Sequence, residues 1–127
     1  MKICDNLYKY LVLKLGKQDI EKEDLENIEN LSLVFDKEGK INYDFKDLIY
    51  FKNLKELTII GASINNFEIN CINRIDTLKE LTIIQCRFKA KCNLCNNIEG
   101  VIVQKCKNFK KEYVSELNNI KNIKIEK

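Results

Sequence analysis

Six cysteines and no histidine occur among the 127 residues of the chain. Cys92-Asn-Leu-Cys95 has the C-x-x-C spacing of many zinc sites, where one tight turn supplies two thiolates to a tetrahedron. Cys86 and Cys106 lie near enough in sequence to supply the other two corners. Cys4 and Cys71 follow no pattern. Other chemistry lacks its usual parts. No G-x-S-x-G, P-loop or G-x-G-x-x-G stretch is present. The three serines, Ser32, Ser63 and Ser115, have no base beside them, and without histidine acid–base work would fall to carboxylates. Whether the cysteines form a metal site depends on whether the elements that carry them bring the sulfurs together.

Those elements are set by a stretch that occurs twice. Residues 54–64 read LKELTIIGASI and residues 78–88 read LKELTIIQCRF, with seven identical letters and starts 24 residues apart. The pattern L-x-x-L-x-I-x-x-[A/C]-x-[I/F] also fits Ile98, Val101, Val103, Cys106 and Phe109. Upstream it fits Ile28, Leu31 and Leu33, and at the end Ile120, Ile123 and Ile125. The starts at 28, 54, 78, 98 and 120 are separated by 26, 24, 20 and 22 residues. Recurrence within this range of periods means stacked units, each too small to bury its own apolar side. Within a unit the second and third apolar letters lie two apart, which is strand periodicity.

This repeat resembles the leucine-rich repeat family, closest to the bacterial internalin-like type, over residues 25–127 or so. The resemblance implies an α/β fold: a right-handed solenoid with a parallel sheet of about five strands on its concave face and an N-terminal helical cap. It implies a single domain, 1–127, in which 1–27 form the cap and connector and 28–127 form about five repeats, the last truncated. The family's asparagine-ladder position holds Asp36, Ala62, Cys86 and Cys106 here, and alanine cannot hydrogen-bond through its side chain. The resemblance also implies that a protein partner binds on the concave face.

Taken in order, residues 4–15 predict a helix with Asp5 as N-cap and Gly16 as its stop. Residues 17–27 read as a charged connector, with Ile20 and Leu25 tucked against that cap. DKEGK at 36–40 is a turn-like insertion around Gly39. The returns carry apolar residues expected to point inward, three apart except between Phe67 and Ile69: Phe45, Leu48, Phe51 and Leu54; Phe67, Ile69, Ile72, Ile75 and Leu78; Cys92, Cys95 and Ile98; Val114, Leu117 and Ile120. The stretch KKEYVSEL is the return expected to be a true helix. Cys92 and Cys95 thereby become small core hydrophobes, while Cys86 and Cys106 take ladder positions in different turns. No metal and no cofactor is expected.

The strand alternation sets what faces outward in register: Asn30, Glu56, Glu80, Gly100 and Asn122; then Ser32, Thr58, Thr82, Ile102 and Lys124; then Val34, Ile60, Ile84, Gln104 and Glu126. Beside them run Phe35, Gly61, Gln85 and Lys105, then Ser63, Arg87 and Lys107. Val34, Phe35, Ile60, Ile84 and Ile102 are apolar where the fold does not demand it, and the charged rim is Glu56 and Glu80 on one side and Arg87, Lys105 and Lys107 on the other. An apolar stripe with a charged rim suits protein binding. The expected function is a non-catalytic protein-binding module (inhibitor, antitoxin or immunity-type protein, or adaptor) using Val34, Phe35, Glu56, Thr58, Ile60, Glu80, Thr82, Ile84, Arg87, Ile102, Gln104, Lys105 and Lys107.

Charge is uneven along the chain. Residues 17–47 carry ten acids against five lysines, and residues 87–111 carry seven cations against one acid. The alternative function is therefore nucleic-acid binding through residues 87–111, where salt would weaken binding steeply. Self-association through the C-terminal strand is a further possibility, opposed by Lys121, Lys124 and Lys127 along that edge. No apolar run is long enough to span a membrane. Residues 1–10 lack the apolar middle of a secretory signal, so the expected location is cytoplasmic.

Overall fold

The computed structural model describes residues 1–127. Its centre is a five-stranded parallel sheet of β1 (Asn30–Val34), β2 (Glu56–Ile60), β4 (Glu80–Ile84), β6 (Gly100–Gln104) and β7 (Asn122–Glu126), in that order. A second sheet pairs the two-residue strands β3 (Ser63–Ile64) and β5 (Arg87–Phe88), also parallel. The registers place Leu31, Leu57, Leu81, Val101 and Ile123 side by side, and likewise Leu33, Ile59, Ile83, Val103 and Ile125. In β1, β2, β4 and β6 these side chains are buried in one continuous apolar cluster, while their chain neighbours face outward. In β7 both isoleucines remain partly exposed, because no further strand lies over them.

The N-terminal helix α1 runs Asp5–Leu15 and buries Leu7 and Leu11. Its N-cap is Cys4, with Asp5 in the first helical turn, which corrects the expected cap by one residue. Gly16 ends the helix in the left-handed region at φ 68°. The buried Asp47 carboxylate ties this end down, accepting a hydrogen bond from the Cys4 amide at 3.0 Å. The connector contains a short helix, α2 (Lys22–Glu26), closed by a capping box between Glu21 and Asp24, and Leu25 is fully buried.

The returns differ from one another. Phe45–Tyr50 is a 3-10 helix, whose three-residue turn carries Phe45, Leu48 and then Phe51 inward. The full α-helix of the returns is α3 (Asn66–Asn73), started by a capping box of Asn65 and Glu68. KKEYVSEL forms only a 3-10 turn at Lys111–Val114, and its N-cap residue, Lys110, makes no side-chain cap bond. Phe67, expected inward, is 53% exposed; at 3.6 residues per turn Ile69 and Ile72 take the inner face of α3 instead. In the shortest return Leu94 is buried and Cys95 exposed, the reverse of the three-step expectation. There the Leu94 amide donates to the Tyr113 carbonyl at 2.9 Å and the Cys95 amide to Asn73 Oδ1 at 2.9 Å. Those two bonds set which side chain turns in.

Polar side chains link successive units at the strands' N-terminal ends. Asn53 donates to the Glu26 carbonyl at 2.6 Å, Thr77 to that of Leu54 at 2.6 Å, and Asn97 to that of Asp76 at 3.4 Å. Ion pairs continue this on the next row, Lys55 with Glu29 at 2.8 Å and Lys79 and Lys121 with Glu99 at 3.5 and 3.2 Å.

Candidate functional site

The open face of the sheet gathers most of the residues singled out from sequence. Val34, Ile60, Ile84 and Gln104 are direct neighbours across four strands, as are Ser32, Thr58, Thr82 and Ile102. Val34, on the outer strand β1, is 50% exposed. Ile60, Ile84, Ile102, Thr58 and Thr82 are half-buried, because each is flanked by strands on both sides. Apolar surface thus runs straight across β1, β2 and β4 and steps one row back to Ile102 on β6.

Three details depart from expectation. Phe35 does not join the face: its ring stacks on Phe45 at 5.9 Å and meets Tyr43 edge-on at 5.3 Å, so it belongs to the core margin. Gly100 is buried although its position faces outward, because the Glu80 carboxylate lies across it, where any Cβ at residue 100 would collide. Gln104 donates to Glu126 Oε2 at 3.1 Å, and Glu126 also meets Lys124 at 3.1 Å, so the β7 side of the face is closed by its own polar contacts.

The C-terminal ends of the strands carry the cations. Arg87 and Lys107 stand opposite each other in parallel register, and Lys105 leaves β6 in a left-handed conformation at φ 53°. All three are exposed. None of the seven cations from Arg87 to Lys111 has a carboxylate within 4.0 Å, although cations elsewhere form seven ion pairs. The aromatic rings of this region are committed to one another: Phe88, Phe109 and Tyr113 pack with centroids 5.2–5.9 Å apart, and Phe88 and Tyr113 are buried.

Cys86 and Cys106 follow β4 and β6 at equivalent positions, two residues beyond each strand. The Cys86 sulfur lies 3.4 Å from the Ile84 carbonyl oxygen and 3.6 Å from that of Ile59, and it accepts from the Ala62 amide at 3.4 Å. Cys106 repeats this with Gln104 and Ile83, both at 3.4 Å. The two thiols interact. A hydrogen bond from Cys86 holds Cys106 down at about 7, and the same contact together with burial pushes Cys86 well above the ordinary thiol range. Cys92 is buried, its thiol donating to the Ala90 carbonyl at 3.0 Å, whereas Cys95 is exposed. No group of three or more Cys, Asp or Glu side chains is gathered closely enough to hold a metal ion.

One feature escaped the sequence pattern. On the opposite side, a cleft of about 770 Å³ opens between the Phe45–Tyr50 turn and α3, lined among others by Ile49, Phe67, Cys71, Asp47 and Arg74. Ile49 and Phe67 are more than half exposed at its rim. The only sign of it in the sequence is Ile49, an apolar residue off the three-residue step. No helix is long and apolar enough to cross a membrane. Comparison with protein-family models, with curated proteins and with solved structures gave no match to this chain.

Proposed function

We propose that the chain is a leucine-rich-repeat-like solenoid that works as a non-catalytic protein-binding module. It occupies a partner's surface with the open, concave face of its sheet, in the manner of an inhibitor, an immunity-type protein or an adaptor. One observation carries this: Val34, Ile60 and Ile84 stand in register on the solvent side of a sheet whose core is already filled from the other side. Apolar side chains there add little to folding that threonine would not, but they give a partner a water-excluding contact. Glu56 and Glu80 at one end and Arg87, Lys105 and Lys107 at the other give that contact an orientation.

The test is capture from the source cell on immobilised protein, compared between the native chain and Ile60→Asp/Ile84→Asp. The expected result is a protein retained by the first and lost by the second at unchanged circular dichroism. Retention of the same protein by both would remove the face from the function. Nucleic-acid binding is a second possibility, favoured by the seven unpaired cations. A salt titration separates the two, since phosphate contacts weaken in proportion to the number of counterions released.

A further inference from the structure

We infer that the partner is a protein segment with an apolar strip and one acidic flank, whose carboxylates meet Arg87, Lys105 and Lys107; this rests on the binding face proposed above. The two ends of the strands treat their charges differently. At the N-terminal ends, Glu29, Lys55, Lys79, Glu99 and Lys121 satisfy one another across neighbouring strands. At the C-terminal ends, Arg87 and Lys107 are opposed in register, a like-charge pair about 4.8 Å apart at the backbone. Like charges placed so oppose folding, and no carboxylate of the chain relieves them. An incoming anion would.

Three observations favour carboxylates of a protein over phosphates of a nucleic acid. The cations border the apolar row at one end: Ile84 in β4 lies three residues before Arg87, and its register partner Gln104 lies three before Lys107. A segment covering both would match an amphipathic protein, whose apolar side chains gain from burial where a phosphodiester backbone gains nothing. The far end of the same face carries Glu56 and Glu80 outside any ion pair, which would repel a polyanion laid along the strands. No ring near the cations is free to stack on a base, since Phe88, Phe109 and Tyr113 pack on each other. Arg87 supplies the fork that pairs bidentately with a carboxylate, and Lys105 and Lys107, both just after the neighbouring strand β6, supply further point charges.

A displayed library of random linear peptides tests this while the partner itself is unidentified. It is panned against the native chain, against Ile60→Asp/Ile84→Asp, and against Arg87→Glu/Lys107→Glu, with circular dichroism checking that each is folded. The expected pool from the native chain is rich in both Asp/Glu and large apolar residues, and is lost on both variants. The tightest selected peptide should bind Arg87→Glu/Lys107→Glu at least about tenfold more weakly than the native chain. Apolar peptides without an acidic surplus, lost only on the isoleucine variant, would overturn the acidic partner and leave the binding face standing. Acidic peptides that still bind Ile60→Asp/Ile84→Asp would overturn the binding face itself. Tighter binding of a single-stranded oligonucleotide of about 20 nucleotides than of the selected peptide, through the same two cations, would replace the protein partner by nucleic acid. An unenriched pool would overturn both inferences.

Discussion

Ile59 and Ile60 are chain neighbours with the same side chain on opposite sides of β2, and Ile83 and Ile84 repeat the arrangement one strand away. Truncation of each to alanine measures how far the two faces differ. Ile59 and Ile83 are fully buried. Removing their outer carbons costs the transfer free energy plus a cavity, about 3–4 kcal/mol. Ile60 and Ile84 are half-buried, so about half of the transfer value is lost with no cavity, about 1 kcal/mol. With a urea dependence of about 1.5 kcal/mol per molar for a chain of this size, the unfolding midpoint should fall by about 2 M at residue 59 or 83. At residue 60 or 84 it should fall by only about 0.7 M. The assay is urea unfolding followed by circular dichroism, with the slope unchanged in all four variants. Ile60→Ala matching Ile59→Ala would mean that the face is sealed, and a small effect of Ile59→Ala would mean that the register is wrong. Because Ile60 and Ile84 are register partners on adjacent strands, their double variant should differ from additivity by up to about 1 kcal/mol.

Three further outcomes follow from particular contacts. Stability should rise with pH between about 7 and 9, where folded Cys106 has lost a proton that the unfolded thiol keeps, and fall above about 9, where the unfolded chain ionises Cys86 and the folded chain does not. Cys86→Ala should flatten the rise in urea melts taken across that range. Gly61→Ala should cost about 1–2 kcal/mol in thermal melting, because Gly61 sits at φ 79° and a Cβ there would lie 3.0 Å from the Phe35 carbonyl oxygen; Gln85→Gly, at the equivalent turn with φ 52°, should be neutral or stabilising. Asp47→Ala should cost about 1–3 kcal/mol by orphaning the Cys4 amide, and hydrogen exchange should speed first along α1.

The strands were legible in the sequence because one spacing dictates them. The registers Asn30 to Glu56, Glu56 to Glu80, Glu80 to Gly100 and Gly100 to Asn122 repeat the offsets between the apolar motifs, so every outward row follows from the letters alone. The returns were less legible, because a three-residue apolar step serves a 3-10 turn and an α-helix equally well. What separated them was capping: Asn65 and Glu68 form a box that the sequence displays, and Lys110 offers nothing comparable. The inversion of Leu94 and Cys95 was hidden, since it depends on bonds to Asn73 and Tyr113, about 20 residues away on either side. Phe35 misled for another reason. It sits where the strand turns, so strict alternation no longer applies, and two aromatic neighbours draw the ring inward.

The same distinction bears on function. A stacked sheet needs apolar letters inside and satisfied polar groups where the units join, and this chain supplies both without its open face. The core is continuous, and the N-terminal ends of the strands are tied by amide, hydroxyl and ion-pair contacts from unit to unit. Nothing in that scheme calls for isoleucine at 60 and 84, or for Arg87 to stand opposite Lys107. The first exposes apolar area and the second sets like charges together, so both weigh against the isolated folded state. Ile84 lies three residues before Arg87, and its register partner Gln104 three before Lys107. A single partner with apolar and acidic surface side by side would turn both costs into binding free energy, whereas two unrelated explanations would be needed if the face stayed bare.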